Sequence, residues 1–163
     1  FVAEHRAALD SRARSIWMTK MEPADIYVLY PGEGSDRYLS SSFFIRMEGA
    51  ELGTHPDGVI ILVLSAAGGW APMQSGGHGR EMSAEATSEL FKAGSEEIAR
   101  QMVRKAVNVR TASMLYTARR VLERRKVILV SDGIAPEQAK ELGFHAATSS
   151  FDDALALALA VGR

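Results

Sequence analysis

Two uninterrupted apolar blocks dominate the pattern along the chain: Val59-Ile60-Ile61-Leu62-Val63-Leu64, and Val127-Ile128-Leu129-Val130 between Lys126 and Ser131. A strand covered on one face alternates apolar and polar side chains. One covered on both faces is apolar throughout, so each block predicts a buried strand, the first a central strand of a parallel sheet. Ala24-Asp25-Ile26-Tyr27-Val28-Leu29-Tyr30 is a further β-rich run and stops at Pro31-Gly32. His145 to Thr148 is long enough for a short last strand. His55-Pro56-Asp57-Gly58 reads as a turn, because Pro fixes φ and Gly accepts a left-handed backbone.

Between these runs the spacing turns helical. Leu39, Phe43, Met47 and Ala50 share a face, and Gly53 is placed to end their helix. Ser83 is placed to cap a helix through Lys92, with Glu85 in its first turn, and Ser95 to cap the next, where Ile98, Met102 and Ala106 line one face. Met114, Leu115, Ala118, Val121 and Leu122 form another stripe. Pro136 suits a first helical position, and Gly143 follows the last residue, Leu142. Ser150 with Asp153 is a capping-box variant opening a helix whose Phe151, Ala154, Leu155 and Ala158 face inward. At the start, Val2, Ala3, Ala7 and Leu9 predict a weakly amphipathic helix over Phe1 to Arg14, and Ser15 to Met21 fits either an edge strand or a helix. Strands alternating with helices predict an α/β fold: a three-layer, Rossmann-like domain over residues 1–163, with a mainly parallel sheet flanked by helices.

Composition narrows the function classes. Hydrophobic residues are 47% and charged residues 24%, an ordinary globular balance that argues against disorder and fibrous or disulfide-rich scaffolds. Lys plus Arg is 19 against 20 for Asp plus Glu, so the charge points to neither nucleic acid nor an anionic membrane as partner. There is no cysteine, which excludes disulfides, thiolate metal sites and a cysteine nucleophile. No apolar run approaches the ~18 residues of a membrane span. A cytoplasmic protein is the plain expectation. The start at Phe1, without an initiator Met or a leader, reads as a processed protein or a piece of a longer one.

In open parallel sheets, ligands bind beyond the carboxyl ends of the strands. Here those ends are Pro31 to Asp36, the glycine-rich stretch Ser65 to Arg80, and Ser131 to Gly133. Gly32-Glu33-Gly34 resembles a phosphate-binding turn, but position 37 is Arg and Glu33 opposes a phosphate, which favours a plain strand-to-helix turn. Ser40 and Ser41 can bind a ligand's carboxylate or hydroxyl, or serve as ordinary first-turn polar residues. Trp70 either walls a pocket or folds back onto the core. Gly32, Gly34, Asp36, His78 and Arg80 are candidates for loops or a lid closing on a small molecule, with a plain tether as the other reading of His78 and Arg80. His5, His55, His78 and His145 show no metal-ligand spacing, and neither a G-x-S-x-G elbow nor a P-loop occurs. Arg119, Arg120, Arg124, Arg125 and Lys126 read as a solvated basic face.

An ordered set of segments resembles the C-terminal domain of the nickel-dependent lactate racemase family. The segments are Ala24 to Val28 with Gly32 to Asp36, Asp57 to Val63, Lys126 to Asp132, Leu142-Gly143-Phe144 and Phe151 to Leu155. The resemblance implies the C-terminal part of a longer two-domain protein. It would close over a nickel-pincer nucleotide that the N-terminal domain of the same protein mainly holds. That domain would also supply the acid and base histidines of a 2-hydroxy acid racemase or epimerase. No catalytic or metal residue is then expected within this chain. The helix after the first loop bears Tyr-Gln-x-x-Lys in that family. Ungapped placement from Asp36 puts its Tyr and Gln at Ser40 and Ser41 and its Lys at Phe44. The resemblance therefore implies a substrate other than lactate, met here by Ser40, Ser41 and Trp70. A non-catalytic small-ligand-binding or interaction domain of the same fold is the alternative.

Overall fold

The computed structural model describes residues 22–32, 36–70 and 82–162, with only the backbone described at residues 40–45. The expected helix over Phe1 to Arg14 and the ambiguous Ser15 to Met21 lie outside the described residues. The elements follow the predicted alternation: β1 (Ala24–Leu29), α1 (Leu39–Leu52), β2 (Thr54–Val63), α2 (Ala84–Lys92), α3 (Ser95–Val103), α4 (Val109–Arg124), β3 (Lys126–Val130), α5 (Pro136–Glu141), β4 (Ala146–Thr148) and α6 (Phe151–Val161).

The four strands form one sheet in the order β1-β2-β3-β4, and every neighbouring pair is parallel. The two apolar blocks take the centre and lie side by side, Val59 against Lys126 through Val63 against Val130. Their residues divide between two cores. Ile60, Leu62, Val127 and Leu129 join the larger cluster with side chains of α1 to α5, such as Met47, Phe91, Ile98, Leu115 and Ala139. Val59, Ile61, Ile128 and Val130 meet Ala154 and Ala158 of α6 on the other face. Each crossover between neighbouring strands thus lies on one side. Among the described helices, α6, which follows the last strand, is the one that turns back over the other.

Start and stop signals account for most boundaries. The Ser83 hydroxyl accepts the Ala86 N–H at 3.1 Å, and Ser150 accepts that of Asp153 at 3.3 Å. Pro136 sits in the first turn of α5, and Gly143 beyond it takes φ +96°, which a side chain would resist. Four local readings need correction. The turn expected at His55 to Gly58 lies inside β2 as a bulge, because Ala24 pairs with Thr54 but Ile26 pairs with Val59. Pro56 has no N–H to lend a ladder, and a Cβ on Gly58 would stand 2.8 Å from the Asp25 carbonyl oxygen. Gly94, not Ser95, is the cap residue of α3, at φ +98°. Ala106 lies past the end of α3 and is exposed. Phe151 does not face inward fully: it is 41% exposed, since two alanines already fill the seam between α6 and the sheet.

Candidate functional site

The loops beyond the carboxyl ends of β1, β2 and β3 are tied together through their backbones. The Asp36 carbonyl accepts the Ala66 N–H at 2.8 Å, and the Arg37 carbonyl accepts that of Gly68 at 2.8 Å. The Leu39 N–H, at the start of α1, donates to the Gly69 carbonyl at 3.0 Å. On the other side, the Ser65 carbonyl accepts both the Ser131 hydroxyl at 2.8 Å and the Gly133 N–H at 2.9 Å. Gly133 therefore runs directly under the Ala66–Ala67 peptide, where a Cβ would stand 2.7 Å from the Ala67 nitrogen.

Ala66 is fully buried and left-handed at φ +47°. An alanine in that region costs about 1–2 kcal/mol, so the surrounding bonds hold it there. The result is a stiff backbone platform on one edge of the sheet, as a binding surface needs to hold its geometry.

Several sequence candidates fall on or beside this platform. Gly32 follows β1 at φ +92°, and Asp36 is half-buried with its carbonyl in the platform. Ser40 and Ser41 occupy the first turn of α1, and their side chains lie outside the description. Gly34, His78 and Arg80 lie outside the described residues.

Trp70 packs onto the core. Its ring centroid stands 5.2 Å from that of Phe91, and its Nε1–H donates to the buried Thr87 hydroxyl at 2.9 Å. Thr87 passes the bond on, its single hydroxyl proton shared between the Ser83 and Ala84 carbonyls, each at 3.0 Å. The indole thereby anchors the end of the β2 loop to α2.

The basic run is engaged in holding the fold. Arg119 donates from Nε to Glu123 at 2.9 Å and from Nη1 to the Leu142 carbonyl at 2.8 Å. Arg124 and Arg125 both stand 3.6 Å from Glu51, and Arg125 Nη1 donates to the His55 carbonyl at 3.1 Å. Lys126 donates to the Val161 carbonyl at 2.9 Å, and Arg120 lies over the Tyr116 ring.

Sequence reasoning passed over the side chains of the third loop. Beyond β3 and β4 lies an open depression of about 530 Å³, lined by the Ser131 to Pro136 turn, Gln138, Thr148 and Ser149. The signal was present in Ser131-Asp132-Gly133, small and polar residues straight after a buried strand. Among the described residues, no three His, Asp or Glu side chains are grouped so as to hold a metal ion. None of the described helices is long and apolar enough to cross a membrane.

Fold and site together define an α/β protein of Rossmann-like class, with a parallel sheet flanked by helices and a loop platform at its carboxyl edge. Neither a protein-family model nor a curated protein matches the chain. Among solved structures, it is similar to the lactate racemase apoprotein from Thermoanaerobacterium thermosaccharolyticum, with a TM-score of 0.65 at 22% identity. The match covers 86% of this chain and 32% of that one, so the chain spans about a third of that enzyme's length. Likeness at that level defines the fold.

Proposed function

We propose that this chain is the closing domain of a nickel-pincer-dependent racemase or epimerase acting on a 2-hydroxy acid other than lactate. The observation that carries the reading is the fold likeness to a lactate racemase over most of this chain. The tied loops at the carboxyl edge support it, because a closing domain must present a preset surface to its substrate. Ser40 and Ser41, in the first turn of α1 beside that edge, are assigned to the substrate's polar groups, and Trp70 to holding the neighbouring loop in place. The described residues offer no ligand set for nickel and do not fit the metal's first coordination sphere. Their part is closure and substrate contact, and the cofactor and the acid and base groups belong to a further domain of the same cytoplasmic protein.

The test uses the parent protein purified from its source. Native mass spectrometry is expected to show a longer polypeptide with a nickel-nucleotide adduct. Chiral chromatography is expected to show interconversion of a 2-hydroxy acid, with lactate a poor substrate. A metal-free natural product no longer than this chain overturns the reading. Phe44, where the lactate racemase motif has its Lys, favours a second reading: a small-ligand-binding domain of the same fold without chemistry. Nickel-loaded parent protein that binds 2-hydroxy acids without interconverting them would establish it.

A further inference from the structure

We propose that the depression beyond β3 and β4 is a binding site for a small, neutral, polyhydroxylated molecule, a monosaccharide or a polyol. Its volume, about 530 Å³, is within the ordinary range for small-molecule sites. It has carbon surface from Ala135 and Pro136 for the C–H face of such a ligand. Several of its polar side chains are uncommitted. Asp132, Gln138 and Ser149 are exposed, and none of their side chains has a hydrogen-bond or ion-pair partner among the described residues. Thr148 Oγ1 accepts the Ser150 N–H at 3.1 Å, which leaves its own proton to donate. The floor is fixed, because the Ser131 hydroxyl is held by the Ser65 carbonyl and by the Gly133 N–H at 3.2 Å.

The lining also selects by charge. Among the described residues lining the depression, Asp132 is the sole charged one, and they include no Lys, Arg or His to meet an anion. A phosphate or carboxylate would be repelled by the Asp132 carboxylate and would find no cation in the lining to offset that repulsion. An array of hydroxyls suits this set: each O–H donates to Asp132 or the Gln138 carbonyl, while each oxygen accepts from the Gln138 amide, Thr148 or Ser149. This inference does not rest on the racemase reading, and the full chain can be tested without any cofactor.

The experiment is ligand-observed saturation-transfer NMR on the full chain with D-glucose, D-ribose and myo-inositol at millimolar concentration, and inorganic phosphate as the anionic control. A companion amide-shift map locates the contact. The expected result is saturation transfer to at least one polyol, with shifts confined to Ser131 to Gln138 and Thr148 to Ser149. Asp132→Ala should weaken binding about tenfold, the scale of one hydrogen bond to a charged group. Gln138→Ala, also on an exposed side chain, guards against a misfolded first variant and should weaken binding as well. No transfer to any polyol overturns the proposal. So do shifts elsewhere, phosphate binding more tightly than the polyols, or folded variants that bind as the unaltered chain does.

Discussion

A single hydrogen at Gly133 sets the spacing between the β2 and β3 loops. A methyl there would enter the Ala66–Ala67 peptide, and neither strand end can retreat without breaking bonds to the Ser65 carbonyl. Gly133→Ala is expected to lower stability by about 1–3 kcal/mol, read as a lower urea midpoint with unchanged slope. An unchanged midpoint would mean that the loops are not in contact. Trp70→Phe keeps the ring against Phe91 but removes the donor to Thr87. Loss of about 1 kcal/mol in urea is expected. An indole that only walls a ligand pocket would leave stability untouched. The sequence showed that Trp70 lies in a glycine-rich loop, but its direction depends on Thr87 and Phe91 in the next helix, beyond any local pattern.

Elements end where local chemistry tells them to, unless a distant residue intervenes. Ser83, Ser150, Pro136 and Gly143 were legible because their partners lie within a few residues in the chain. Ser95 was misread for the opposite reason. Its hydroxyl and N–H both donate to Glu123, at 2.5 and 3.0 Å, 28 residues away on α4. The His55 to Gly58 bulge was hidden likewise, since it takes shape only against Asp25 of a neighbouring strand. Burial works to raise the Glu123 carboxyl, but the Ser95 bonds and the Arg119 guanidinium outweigh it and hold it below its ordinary value of 4.5. A carboxylate with a depressed folded value adds stability above its unfolded value and loses it as pH falls through the folded one. The link between α3 and α4 should therefore weaken below about pH 4.5. Glu123→Gln should flatten the fall in melting temperature between neutral and acid pH. A variant that keeps the full acid dependence would show that this carboxylate does not contribute to it.

The whole molecule rests on β2 and β3, whose side chains alternate between two cores. Ile61 is fully buried in the smaller core under α6. Ile61→Ala should cost about 2–5 kcal/mol in denaturant unfolding, as a cavity that the small α6 alanines cannot refill. The layered architecture was legible because uninterrupted apolar strands have no other stable setting than between two covers. The candidate site was legible as a set of loops, through the rule for strand ends. The hydrogen bonds that join Asp36, Ser65 and Ser131 were not, because the residues are 29 and 66 positions apart.

The sequential strand order carries a consequence for how the chain reaches this state. Ile128 meets Ala146 after 18 residues and Val28 meets Ile61 after 33, whereas Ile60 must find Val127 across 67. Closing the longest of these loops costs about 1 kcal/mol more entropy than closing the shortest. Each half can gather its own strands early, while the seam between β2 and β3 zips last. Mutations confined to that seam are expected to accelerate unfolding while leaving the refolding rate nearly unchanged, as a stopped-flow chevron would record.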